Sequence, residues 1–277
     1  MADSRWPGPG GGGPPPPILL DAAMGTRLIA RGLDLSGDDP CLWCLDRPEE
    51  VAEVHRLDVM AGADALTTNT FGANRSWLSR FGRAGEVGAI NRAAVALARE
   101  AAGPGLLVLG CLGPTAEGSE VEVEQALALA AGGVDALILE TNAASAPIGP
   151  RLAALDAAVG LPMILTFSLA VDDDPFPRLG YDVFELPLQA IGWNCIPPPR
   201  AVELPGHLRG TVGLPLVLQP SGPWIGSGPG VEPTAETIAR LVDQGVRLFG
   251  GCCGTTERDI AALRSALGPS PLRAGSG

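Results

Sequence analysis

The chain has 277 residues, 19 basic and 31 acidic side chains, and a formal net charge of −12. All 19 basic residues are arginine, which excludes lysine-based Schiff-base chemistry and a Walker-type phosphate loop. An acidic chain without basic runs is not expected to bind nucleic acid or an anionic membrane surface.

With 46% hydrophobic and 18% charged residues, the sequence can bury a large core. No apolar stretch reaches the roughly 20 residues of a membrane-spanning helix. The N-terminus shows no basic region leading into an apolar one, so no secretory signal is expected. Six cysteines are too few for a disulfide framework, and the thiols are expected to stay reduced in a cytoplasm.

Residues 1–17, MADSRWPGPGGGGPPPP, have nothing to bury and are expected to form a disordered tail; residues 268–277 are expected to be a second, flexible one. The segment 18–267 between them is expected to be a single α/β domain. Apolar runs punctuate it at Ile18–Met24, Ala65–Phe71, Leu106–Leu112, Ala136–Thr141, Pro162–Leu169, Ile191–Cys195, Pro215–Gln219 and Arg247–Gly251. Continuous apolar runs are what strands covered on both faces require. Between them lie segments of helical period: Val51, Val54, Leu57 and Ala61; Val87, Ile90, Ala94 and Leu97; Ile260, Leu263 and Leu267. Eight strand–helix units predict a parallel (β/α)8 TIM barrel, and the absence of G-x-G-x-x-G after the first strand removes support for a dinucleotide fold.

Function in such a barrel sits at the C-terminal ends of the strands. Those ends carry Asp21, Asn69 and Thr70, Cys111, Glu140, Ser168, Asn194 and Cys195, Gln219 and Ser221, and Cys252 and Cys253. Cys195, Cys252 and Cys253 therefore converge from strands 6 and 8. Neighbouring cysteines suit an ordinary disulfide poorly, but in a glycine-rich bend both can face one ion. Three thiolates with an open fourth position describe a catalytic zinc site; the alternative is three small buried hydrophobes. Cys41-Leu-Trp-Cys44 is one isolated C-x-x-C pair and reads as structural, as does Cys111. His55 is expected on a helix surface, and His207 has no acidic partner at a telling spacing.

These residues resemble the homocysteine S-methyltransferase family. Asp21-Ala-Ala-Met-Gly-Thr26 is similar to its D-G-A-M-G-T opening, and Ala61-Gly-Ala-Asp64 with Thr68-Asn-Thr-Phe71 to its A-G-A-D…T-N-T-F segment. Leu139-Glu-Thr141, Asn194-Cys195 and Gly250-Gly-Cys-Cys-Gly-Thr255 resemble L-E-T, N-C and G-G-C-C-G-T. The resemblance implies a zinc-dependent enzyme that methylates L-homocysteine to methionine. It implies Cys195, Cys252 and Cys253 as zinc ligands, Glu140 and Asp21 as partners of the substrate ammonium, and Asn69 and Thr70 as shapers of the amino-acid pocket.

No protein side chain beyond the metal centre is expected to be catalytic. The expected partners are homocysteine and a small methyl donor, with S-methylmethionine or S-adenosylmethionine favoured; the oligomeric state is left open. The sequence departs from the family at Ala22, where a glycine is usual, and at Pro220-Ser221-Gly222, where P-N-A-G or P-N-S-G is usual. These departures leave two alternatives open: another thiol or selenol acceptor, or a zinc-binding barrel without methyl transfer.

Overall fold

The computed structural model describes residues 15–115, 117–143, 148–168, 188–208, 213–228 and 230–272. Most of the N-terminal segment expected as a tail, and residues 273–277, lie outside this set.

Eight strands form one parallel sheet: β1 (Ile18–Leu19), β2 (Ala65–Thr67), β3 (Leu107–Leu112), β4 (Ala136–Asn142), β5 (Met163–Phe167), β6 (Leu188–Asn194), β7 (Leu216–Gln219) and β8 (Val246–Phe249). The described helices are α1 (Gly25–Ala30), α2 (Trp43–Asp46), α3 (Pro48–Ala61), α4 (Arg75–Leu78), α5 (Val87–Ala102), α6 (Ser119–Gly132), α7 (Ile148–Val159), α8 (Pro198–Leu208), α9 (Ala235–Asp243) and α10 (Glu257–Leu267). The strand order β1-β8-β7-β6-β5-β4-β3-β2 leaves one seam, between β1 and β2. Asp64 bridges it: its amide donates to the Leu19 carbonyl at 2.6 Å, and its carboxylate accepts from the Leu19 amide at 2.8 Å. The result is a (β/α)8 barrel, nearly closed in strand pairing and linked across the seam by Asp64.

Two apolar layers hold it together. Inside the barrel, Leu20, Ala65, Leu107, Leu109, Ile138, Ile164, Ala190, Val217 and Leu248 pack on one another. Their strand neighbours, such as Leu66, Val108, Leu137, Leu165 and Leu218, face the helices. This inside–outside alternation explains why the strands read as unbroken apolar runs: both faces are covered. Each large aliphatic side chain taken out of water contributes roughly 2 kcal/mol.

The same alternation aims the site. Carried upward from the interior residues, the inward parity reaches Thr67 on β2, Glu140 on β4, Thr166 on β5, Asn194 on β6, Gln219 on β7 and Cys252 beyond β8. Each of these six strands therefore delivers one polar or thiol side chain to the C-terminal mouth, above an apolar plug.

A third cluster, from Leu28 to Ala94, underlies the long excursion between β1 and β3. Cys41 and Cys44 are buried in it beside Leu28, Leu42 and Trp43. Burial raises both thiols well above the ordinary range, Cys44 to about 12, so they act as small apolar groups, in line with the structural reading of that pair.

His55 is a correction. The buried stripe of α3 runs through Val51, Val54, His55 and Asp58, an i, i+3, i+4, i+7 series that places the imidazole inward. His55 is wholly buried, and neither ring nitrogen has a hydrogen-bond partner among the described residues. Residues 268–272, expected as the start of a tail, dock instead on the barrel: the Ser270 hydroxyl donates to Asp64, and Leu272 packs against the interior cluster.

Candidate metal centre and substrate cavity

The segment after β8 reads Gly250-Gly-Cys-Cys-Gly254, and its backbone is tied on three sides. The Gly251 amide donates to the Asp21 carbonyl at 3.1 Å, the Cys252 amide to the Pro220 carbonyl at 2.8 Å, and the Gly222 amide to the Cys253 carbonyl at 2.6 Å. Gly251 is needed here because a Cβ would lie 2.2 Å from the Thr255 hydroxyl, and Gly254 turns the chain at φ +82°.

Opposite, Cys195 follows β6 with φ +54°, a left-handed conformation uncommon outside glycine. Its amide donates to the Gln219 carbonyl at 3.1 Å. The Ser221 amide donates to the Ile196 carbonyl at 2.8 Å, so the strand 7 segment stitches both thiol loops through backbone bonds despite its missing asparagine.

The thiol sulfurs of Cys195, Cys252 and Cys253 lie within 4.8 Å of one another, and the Cys195–Cys253 separation is 3.9 Å. Tetrahedral zinc with Zn–S bonds of about 2.3 Å holds its sulfurs about 3.8 Å apart. The donor set and spacing therefore fit a thiophilic ion. Hydrogen bonds from Cys195 and Cys252 pull the Cys253 thiol below its ordinary range, whereas hydrogen bonding to Cys195 and Cys253, with burial, pushes Cys252 up.

The sulfurs border a cavity of about 300 Å³ lined also by Asp21, Asn69, Thr70, Cys111 and Glu140. Glu140 is half-buried, and Gln219 Nε2 donates to its Oε1 at 3.4 Å. Burial raises its carboxyl to about 7, opposed by hydrogen bonds from Gln219 and the Cys111 thiol. Cys111 is thus more than core filling: it forms part of the floor beneath that carboxylate.

Asp21 is buried, with its carboxylate accepting from the Thr67 amide at 2.7 Å and the Thr67 hydroxyl at 2.8 Å. Burial first, then the charge of Asp58, raises it to about 8, against the Thr67 bonds and Arg27. The side-chain nitrogen of Asn69 is committed to the Pro40 carbonyl at 2.5 Å. The Thr70 hydroxyl is likewise committed to the Cys111 carbonyl at 2.8 Å. Both residues shape the wall through these bonds. No arginine or histidine is among the described residues that line the cavity.

The homocysteine S-methyltransferase family model matches residues 18–267. The chain belongs to the homocysteine S-methyltransferase family. It is 31% identical over 89% of its length to a methionine synthase of Mycobacterium tuberculosis, and spans 24% of that protein. It is also 31% identical to the homocysteine S-methyltransferase of Escherichia coli, covering 90% of this chain and 94% of that one. The crystal structure of the E. coli homocysteine methyltransferase in its metallated form superposes with a TM-score of 0.73 at 28% identity, covering 90% and 95% of the two chains.

The sequence reading singled out the three thiols, Glu140 and Asp21 as members of this site, and the fold brings all five to one cavity. It placed Gln219 and Asn194 at strand ends and Thr255 in the glycine-rich motif, but gave none of the three a role. Their signal was available in the inward parity of the strands and in the threonine closing the glycine-rich run.

Proposed function

We propose that this family member transfers a methyl group from an activated donor to the sulfur of L-homocysteine, forming methionine, at a zinc centre held by Cys195, Cys252 and Cys253. The observation that carries the proposal is the convergence of three sulfurs within 4.8 Å on a cavity that also holds Glu140. When bound, zinc supplies a Lewis-acidic centre that keeps an acceptor thiol deprotonated at neutral pH.

The chain's own residues do the rest. Glu140 accepts the substrate ammonium, with Gln219 and Cys111 fixing its carboxylate. Asp21, pinned by Thr67, adds a second acidic group at the rim between β1 and β2. Asn69 and Thr70 shape the wall. The strand ends hold acceptor and donor in line, which removes the entropy cost of their encounter. The methyl group leaves a sulfonium sulfur and forms a bond to the acceptor thiolate, so the donor departs as a neutral thioether and no proton on carbon moves.

An acidic cavity with no cationic side chain among its described residues favours cationic donors such as S-methylmethionine or S-adenosylmethionine. A reducing cytoplasm suits a site built on three free thiols. Among the described residues no helix is long and apolar enough to cross a membrane.

The test is methionine formation from homocysteine with S-methylmethionine, S-adenosylmethionine, a methylfolate and betaine, followed by mass spectrometry. A sulfonium donor is expected to turn over. Metal-loaded protein that methylates cysteine or a selenol but not homocysteine, or that turns over no donor, contradicts the proposal.

A further inference from the structure

Asn194, the last residue of β6, is wholly buried between the carboxylate side and the thiol side of the cavity. Its Oδ1 accepts from the Thr141 amide at 2.9 Å and from the Thr166 hydroxyl at 3.0 Å. Its Nδ2 donates to Thr141 Oγ1 at 2.9 Å and faces the Cys252 sulfur at 4.0 Å. The orientation of this amide is dictated by its surroundings. The Thr141 backbone N–H can only donate, so a flipped side chain would set NH2 against N–H. The group turned toward Cys252 is therefore an N–H donor and not a carbonyl oxygen.

Two further features place this contact in the chemistry. Thr141 and Cys195 are the described non-glycine residues with positive φ, at 60° and 54°. For a β-branched residue such as threonine that conformation is a genuine outlier, and strain of this kind gathers at functional sites. Asn194 bonds both the backbone amide and the hydroxyl of Thr141, and so braces one strained residue while directly preceding the other, Cys195. Thr141 in turn follows Glu140. The second feature is charge. Three thiols and two carboxylates border the cavity, with no arginine or histidine among its described lining residues. Zinc would offset two of the three thiolate charges; what remains has no cationic side chain in the described lining to meet it, and the Asn194 amide is a buried side-chain donor aimed at one of the sulfurs.

We propose that Asn194 is a positioning residue for both halves of the site: its N–H stabilises Cys252 as a thiolate ligand, while its clamp on Thr141 fixes the direction of Glu140. This inference rests on the zinc reading above. Hydrogen-bond partners behind first ligands orient them and commonly change metal affinity 10- to 100-fold.

The experiment compares wild type, Asn194→Asp and Thr166→Val. It measures zinc affinity by chelator competition and, in cobalt-substituted protein, the sulfur-to-cobalt charge-transfer band. Asn194→Asp keeps the shape and can still accept from Thr141, but places an oxygen against Cys252. Thr166→Val removes a bond to the same side chain without touching the sulfur.

Asn194→Asp is expected to weaken zinc binding about 10- to 100-fold and to shift the band. Thr166→Val is expected to lower Tm while leaving affinity and band unchanged. If the aspartate variant does not fold, Asn194→Ser, too short to reach the sulfur, is expected to give the same loss. Affinity within about twofold of wild type and an unshifted band in the folded Asn194 variant would overturn the inference, as would an equal loss in Thr166→Val. Wild-type protein that takes up neither ion would instead overturn the zinc reading and, with it, this role.

Discussion

Replacing Thr255 with valine tests whether the thiol loop is held from behind. Thr255 is wholly buried. Its hydroxyl accepts from the Ala23 amide at 3.1 Å and donates to the Cys252 carbonyl at 2.7 Å, joining the β1–α1 loop to the residue after Gly251. Valine keeps the shape and removes both bonds. The Cys252 carbonyl still accepts from the Thr255 amide at 3.1 Å, so the main loss is a buried Ala23 N–H without a partner. Such an orphaned donor costs about 1–3 kcal/mol, and the lost bond to Cys252 adds about 1 kcal/mol. In a domain of this size each kcal/mol moves Tm by about 2–4 °C, so a fall of about 4–16 °C is expected. Calorimetry of chelator-treated protein measures it without metal masking the change, and Thr255→Ser, which restores a hydroxyl, is expected to recover most of the loss. A Tm within about 1 °C of wild type would refute the reasoning, because it would mean that the hydroxyl holds nothing.

Two other consequences follow from buried groups. Glu140→Gln keeps the volume and the contact with Gln219 but removes the charge offered to the substrate ammonium. A charge-assisted hydrogen bond contributes about 1.5–3 kcal/mol, so KM for homocysteine is expected to rise about 10- to 100-fold with zinc content unchanged; an unchanged KM in steady-state assays would exclude Glu140 from substrate binding. Burial, aided by the charge of Arg27, lowers His55 from 6.5 to about 3. The unfolded chain therefore takes up a proton that the folded one refuses. Stability unaffected by His55 above pH 6.5 is lost as pH falls from 6.5 toward 3, by about 1.4 kcal/mol per unit. Asp21, raised from 3.8 to about 8, works in the opposite sense, its contribution being lost as pH rises across that window. The difference between wild type and His55→Leu isolates the histidine: urea titrations at pH 6.5 and 4.5 are expected to show the variant losing about 2–3 kcal/mol less, and parallel losses would contradict the assignment.

The barrel was legible because strands covered on both faces must be apolar throughout, as the runs Leu106–Leu112 and Pro162–Leu169 are, and because helical segments alternate with them. The thiols and Glu140 were legible because residues of those types end such runs. His55 was misread for a physical reason: the buried stripe of α3 joins two apolar members, Val51 and Val54, to two polar ones, His55 and Asp58, and hydrophobic spacing alone cannot see a buried imidazole. The first strand was expected to run to Met24 but ends at Leu19; the Leu20 amide still donates to the Phe249 carbonyl, but on the β2 side the Asp21 carboxylate takes the Thr67 amide in place of a ladder bond. The roles of Asn194 and Thr255 were not legible because they depend on residues 53 and 232 positions away along the chain, a proximity created only when the barrel closes.

The most direct test of the account is zinc stoichiometry measured beside methionine formation in wild type and in Cys195→Ala, Cys252→Ala and Cys253→Ala. The account predicts one zinc per wild-type chain, loss of tight zinc binding in each variant, and loss of methyl transfer in parallel. A Cys252→Ala protein that is free of zinc and fully active would contradict it.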